Sequence, residues 1–198
     1  MKPTAKIVVG SQFGDEGKGL VTDYLCSLPI NNYLDNSKRK IVVRFSGGQQ
    51  AGHNVVIDGI SHIHSNFGSG TLRGYASYFS EHCTVYPTTI YRERQVLNTK
   101  NVEPELYIHP LAKVTTPFDV AYARLMDMKN GRGNTCGLGI GVTMRRNLET
   151  GYKLYAIDLE NVKMLRVKMA LISQQYADRL NPEDRQKYDQ SGWKANGH

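Results

Sequence analysis

Apolar residues occur along this chain first as short β-branched runs that empty into glycine turns, and later as stripes with helical spacing. Ile7-Val8-Val9 leads into GSQFGDEGKGL at 10–20, and Ile41-Val42-Val43-Arg44-Phe45 leads into SGGQQAGHN at 46–54. Short apolar runs bounded by glycine predict buried strands. Leu20 to Leu28, after the first turn, can be helical. Two strands ending in glycine loops point to one shared ligand edge, because α/β sheets bind ligands at the carboxyl ends of their strands.

Asn54 to His64 holds two β-prone runs around Asp58-Gly59. That dipeptide accepts positive φ at low cost, so a tight hairpin is predicted. His62 and His64 would share one strand face; lacking visible partners for a metal, they read as surface or packing residues. Ser65 to Gly74, SNFGSGTLRG, reads as a mobile loop by composition. Short strands are expected at Cys83–Tyr86 and Leu106–His109, with a helix between Thr88 and Leu97. Phe118, Ala121, Tyr122, Leu125 and Met128 predict an amphipathic helix from Pro117 to Lys129, with proline near its start. A third glycine-rich stretch follows, with five glycines in the eleven residues 131–141. Val162, Leu165, Met169, Ile172, Tyr176 and Leu180 form one stripe, so a core-facing helix is expected from Leu159 to Leu180. Ile30 to Lys40 reads as a polar connection and Asn181 to His198 as a frayed polar tail.

The totals narrow the class. A chain of 198 residues, 40% hydrophobic and 22% charged, is long enough for one substantial domain. No apolar run approaches the roughly 20 residues needed to cross a bilayer, and no signal-peptide core is visible, so a soluble cytoplasmic protein without membrane contact is expected. Cys26, Cys83 and Cys136 are far apart and odd in number, which reads as buried thiols rather than a disulfide framework or zinc cluster. The net charge of +7 raises the question of nucleic acid, but the basic residues are dispersed apart from Lys38-Arg39-Lys40 and Arg145-Arg146. A small anionic substrate explains the charge at least as well.

The first turn carries the sharpest chemistry. Four glycines (10, 14, 17, 19) and Lys18 suit phosphate, with backbone amides and a helix N-terminus facing the anion. A Walker loop ending at Gly17-Lys18 would need glycine at 12 and serine or threonine at 19, where Gln12 and Gly19 stand. Asp15-Glu16 inside the turn would repel phosphate unless a metal cation or a proton transfer compensates, so the pair implies chemistry.

GSQFGDEGKG at 10–19, VVRFSGGQQAGHNVVIDG at 42–59 and GNTCGLGIG at 133–141, in that order, resemble the adenylosuccinate synthetase family. The resemblance implies a P-loop-NTPase-like α/β fold: a mainly parallel central sheet, flanking helices, glycine loops at strand ends and an inserted β-hairpin. One nucleotide-binding domain over 1–180 is expected. The resemblance further implies a magnesium-dependent ligase joining L-aspartate to a purine nucleoside monophosphate, IMP, with GTP (or ATP) as phosphoryl donor, in a homodimer. Carried over by position, Asp15 is the general base and a magnesium ligand, His53 assists phosphoryl transfer to O6, and Gly52 offers a carbonyl to the metal. Gly14, Glu16, Gly17, Lys18 and Gly19 match the phosphate cradle. Gln50, Ala51 and Asn54 stand at nucleotide-binding positions of the second turn, and Thr135 and Cys136 at those of the third. Arg145 or Arg146 resembles the arginine lent across the dimer interface, and spacing does not choose between them.

The departures are equally definite. Leu20 ends a turn that the family ends in lysine, Gln49 and Gln50 replace histidine and asparagine, Asn54 replaces threonine, Cys136 a threonine and Val142 a proline. The guanine-reading lysine-x-aspartate motif and the arginine-rich aspartate loop of the family's later half have no counterpart here. A diverged branch, as in some phages, that accepts (d)GMP is therefore carried beside IMP, as is a non-catalytic nucleotide-binding module.

Overall fold

The computed structural model describes residues 5–11, 14–28, 41–129 and 136–194, with the backbone alone for 191–194. Three parallel strands form the main sheet in the order β1 (Ile41–Arg44), β4 (Ala76–Phe79), β6 (Leu106–Ile108). The hairpin β2 (His53–Ile57) and β3 (Ile60–His64) interrupts the connection from β1 to β4, and a short parallel pair joins β5 (Thr84–Val85) to β7 (Lys113–Val114). Six helices accompany them among the described residues: α1 (Lys18–Ser27), α2 (Pro87–Asn98), α3 (Pro117–Lys129), α4 (Ile140–Glu149), α5 (Val162–Ala177) and α6 (Pro182–Lys194). The mixed α/β class and the parallel sheet are those expected. Among the described residues no helix is long and apolar enough to cross a membrane.

The hairpin turns as expected, with Asp58 and Gly59 at φ 49° and 81°. Positive φ at both central residues matches the twist of the flanking strands. The core gathers Phe79, Val85, Val114, Leu125, Leu154, Ile172 and Tyr176 between the sheet ends and helices α3 to α6. At its centre lies an ion-paired network. The Arg146 side chain, 1% exposed, donates from Nε to Asp119 Oδ1 (2.8 Å), from Nη2 to Asp119 Oδ2 (2.9 Å) and the Val114 carbonyl (2.8 Å), and from Nη1 to the Tyr152 carbonyl (2.8 Å). Tyr176 donates to the same Asp119 carboxylate at 2.6 Å. A buried ion pair is tolerated only when its remaining donors and acceptors are satisfied, and this one binds α3, α4, α5 and β7 together.

Several expectations are overturned. Ile7-Val8-Val9 forms no strand, and Ile7 and Val9 are 85% and 79% exposed. A strand needs a neighbour to satisfy its backbone, and none of the described residues pairs with it. The segment from 181 is helix α6 rather than a frayed tail: Tyr188 is 2% exposed, and Asp184 pairs with Lys129 of α3. Ser65 to Gly74 is not a mobile loop, since Asn66, Phe67, Ser69 and Thr71 are buried. Of the three thiols only Cys83 is buried; Cys26 is half-buried and Cys136 exposed. The helix expected from 159 is a 3-10 turn over Ala156–Glu160 followed by α5. The 30–40 connection lies outside the described residues.

Candidate functional site

The first glycine turn and the start of β2 close on one another to form a cleft of about 400 Å³, lined by residues 14–20 and 52–54. Gly14, Asp15, Glu16, Gly17, Lys18 and Gly19 from one side and Gly52, His53 and Asn54 from the other therefore meet at a single place. The chain makes this possible at Gly19: a Cβ there would lie 2.5 Å from the His53 Cβ, so only glycine lets α1 approach β2 this closely. Gly17, at φ 72°, caps α1 in the left-handed region and turns the helix N-terminus toward the cleft residues. Asp15 itself has φ 51°, a conformation that Asp tolerates better than most side chains.

The α1 helix is anchored from behind. Arg73 grips Asp23 with both arms of its guanidinium, Nε to Oδ1 at 2.6 Å and Nη2 to Oδ2 at 2.9 Å, and the Tyr75 hydroxyl donates to the Cys26 carbonyl at 3.0 Å. Arg44, the one charged residue in β1, donates to the carbonyls of Ser65, Asn66 and Gly48 and lies 4.9 Å above the Phe79 ring. It thereby ties the second glycine turn to the end of the hairpin. Sequence reasoning missed this residue, although a cation inside an apolar run was its signal.

Lys18 pairs with Glu16, which balances one carboxylate of the turn and leaves the Asp15 carboxylate as a separate exposed acid. Burial holds the His53 imidazolium below its ordinary value, and the positive charges of Arg44 and Lys18 push the same way. His53 is thus a neutral imidazole at pH 7, able to donate one N–H. Asp15 and Gly52 both line the cleft; a carboxylate and a backbone carbonyl are hard oxygen donors of the kind that suits magnesium, which takes one or two carboxylates and completes its shell with water and phosphate.

Other sequence-derived candidates do not line this cleft. Gln50 turns back to accept the Gly48 amide at 2.8 Å, and Ala51 is half-buried beside it. Gln49 is buried and donates to the Leu138 carbonyl at 2.9 Å, which joins the second glycine turn to the third. Cys136, within that third loop, is exposed, and Thr135 lies outside the described residues. Arg146 is corrected: four of its five donors are spent inside the core, so it cannot reach a phosphate. Arg145 is 72% exposed, with only a 4.0 Å contact to Glu149, and is the arginine of the pair that a ligand can use.

Known proteins share sequence and fold with this chain. An adenylosuccinate synthetase from Borrelia duttonii is 30% identical over 164 residues, 82% of this chain and 36% of the relative. One from Psychrobacter arcticus is 35% identical over 140 residues, covering 68% and 30%. The chain thus spans about a third of the length of the curated relatives it matches. Among solved structures, the fully ligated adenylosuccinate synthetase of Plasmodium falciparum superposes with a TM-score of 0.69 at 18% identity, over 91% of this chain and 42% of that one. The succinoaminodeoxyadenylate synthetase of cyanophage S-2L, bound to dGMP and dATP as an energy donor, superposes at 0.50 with 19% identity, over 79% and 42%. These likenesses establish the shared fold. The sequence model of the adenylosuccinate synthetase family matches residues 7–193, nearly the whole chain and both glycine turns that bring Asp15 and His53 to one cleft, and the chain belongs to that family.

Proposed function

We propose that this chain carries the nucleotide and phosphoryl-transfer site of a carbon–nitrogen ligase, joining L-aspartate to C6 of IMP through a 6-phosphoryl intermediate made from GTP. The observation that supports it most directly is the close approach of Gly19 to His53, which unites the acidic turn and the histidine in one cleft. In this reading Asp15 takes the proton from N1 of the purine, and the negative charge that develops on O6 makes that oxygen the nucleophile. O6 attacks the γ-phosphorus, the bond to the β-phosphate oxygen breaks, and GDP leaves. His53, neutral, donates its N–H to the oxygen charge that builds during transfer. Lys18, released from Glu16, and the amides at the start of α1 hold phosphate oxygens. The aspartate amine then attacks C6 and inorganic phosphate departs.

Asp15 and the Gly52 carbonyl would hold magnesium, which supplies charge neutralisation to the donor phosphates. Arg145 is the residue suited to reach the nucleotide of a second copy in a homodimer, since it is exposed and nearly unengaged. A reading in which (d)GMP replaces IMP keeps the same residues and differs in the purine. The chain, Mg2+, aspartate and a nucleoside triphosphate are incubated with IMP or with dGMP, and phosphate release is followed. Aspartate-dependent release with IMP supports the first reading, release with dGMP alone moves the substrate to the second, and release with neither overturns the ligase.

A further inference from the structure

His62 and His64 share the face of β3 that turns inward, against α2. His64 is fully buried, and neither of its ring nitrogens has a hydrogen-bond partner among the described residues. Burial, with the neighbouring His62 and His53, pulls its pKa down to about 3, so the ring is a neutral base whose lone pair meets no hydrogen-bond donor. The His62 ring stands edge-on to it at 4.6 Å, and His62 Nε2 lies 3.4 Å from Glu93 Oε1. The Glu93 carboxylate is held in place by the amides of Ser65 (3.1 Å) and Asn66 (2.6 Å) and by Asn66 Nδ2 (2.8 Å). One donor atom from each of the three residues lies within 4.8 Å of the others.

We propose that His62, His64 and Glu93 bind a divalent transition-metal ion of the zinc class, at a site separate from the nucleotide cleft. Two imidazoles and a carboxylate are the donor set that such ions take with one position left open. A four-coordinate ion needs donors about 3.4 Å apart, so the side chains have to draw in modestly from their present spread. His62 and Glu93 also line a cavity of about 530 Å³, together with Arg92, Lys100 and Gln49. The Asn66 contacts supply the outer hydrogen bonding that orients a ligating carboxylate.

Lys100 is the built-in opponent. Its ammonium lies 3.0 Å from His62 Nδ1 and 2.6 Å from the Ser61 carbonyl. Ligation through Nε2 moves the ring proton to Nδ1, where a protonated lysine has nothing to donate to; Lys100 keeps Ser61 and leaves the ring. Metal binding therefore works against the Lys100 charge, beside which Arg92 also lines the cavity and Arg44 interacts with Glu93. Its structural effect is a tether between α2 and the hairpin, and across the hairpin His64 pairs with His53.

The test uses the full chain stripped with chelator and titrated with Co2+ and then Zn2+. One Co2+ per chain with the visible absorption of a four-coordinate site is expected, displaced by Zn2+ with a rise in Tm. His62→Ala and His64→Phe each weaken binding by about a hundredfold, with circular dichroism confirming the fold. Lys100→Met tightens it by about tenfold, as expected for removing a charge a few ångströms from a cation. Asp15→Ala leaves it within about threefold, because the ion is not held by the acid of the nucleotide cleft. Absence of the cobalt spectrum, binding that survives both His62→Ala and His64→Phe, an unchanged affinity in Lys100→Met, or loss in Asp15→Ala would each overturn the site.

Discussion

The Cβ of His53 occupies the space that a side chain on Gly19 would need, the two positions being 2.5 Å apart. The glycine is therefore a spacing element between the phosphate turn and the histidine. Gly19→Ala is expected to lower turnover by on the order of a hundredfold, the effect of misplacing a reacting group by about 1 Å. Overpacking should cost only about 1–3 kcal/mol of stability. Steady-state kinetics beside a urea melt checks both; unchanged kinetics would show that His53 is not positioned by this contact.

Adjacent arginines at 145 and 146 should behave as opposites. Arg146→Ala leaves the buried Asp119 carboxylate uncompensated and is expected to cost on the order of 3–5 kcal/mol. Arg145→Ala should stay within about 0.5 kcal/mol in the same unfolding assay while weakening nucleotide-dependent turnover. A large stability loss in Arg145→Ala would contradict the assignment of the two roles.

Tyr176 sets an alkaline limit. Burial and the adjoining Asp119 carboxylate raise its phenol above the ordinary value of 10.0. With the folded value raised, the unfolded chain loses this proton first, so the stabilisation is complete below pH 10 and is lost as the pH climbs past it. Chemical denaturation at pH 8, 10 and 11 should show this fall. Tyr176→Phe should be less stable at pH 8, because the hydrogen bond to Asp119 is gone, but flatter above pH 10.

Helix α6 should be an integral part of the domain. Tyr188 is 2% exposed, with its ring 6.4 Å from Tyr176 and 6.5 Å from Phe118. Tyr188→Ala is expected to cost about 3 kcal/mol or more, by analogy with other buried aromatic truncations. A melt indistinguishable from the parent chain would mean that α6 does not contribute to the fold.

What was legible in the sequence depended on how local the physics was. The Asp58-Gly59 hairpin and the 117–129 helix were readable because turn chemistry and a 3.6-residue stripe act within a few residues. The cleft was readable through paired motifs, the GDEGKG and AGH turns. The rest depended on distant partners. Ile7-Val8-Val9 had the composition of a strand but lacks a neighbour to pair with among the described residues. SNFGSGTLRG looked mobile, yet the Glu93 carboxylate, almost thirty residues away, binds the amides of 65, 66 and 67. Arg145 and Arg146 were equivalent until Asp119 and Tyr176 showed which one the core had claimed. The C-terminal segment read as polar because one tyrosine and one aspartate carry its attachment.

The central claim is that Asp15 removes a proton in a cleft it shares with His53. Aspartate-dependent phosphate release by the parent chain and by Asp15→Ala, with the purine monophosphate and triphosphate at saturation, tests it most directly. The expected result is measurable release that falls by on the order of 10²–10⁴ in the variant, with an unchanged melting profile. Near-normal release by Asp15→Ala would contradict the account.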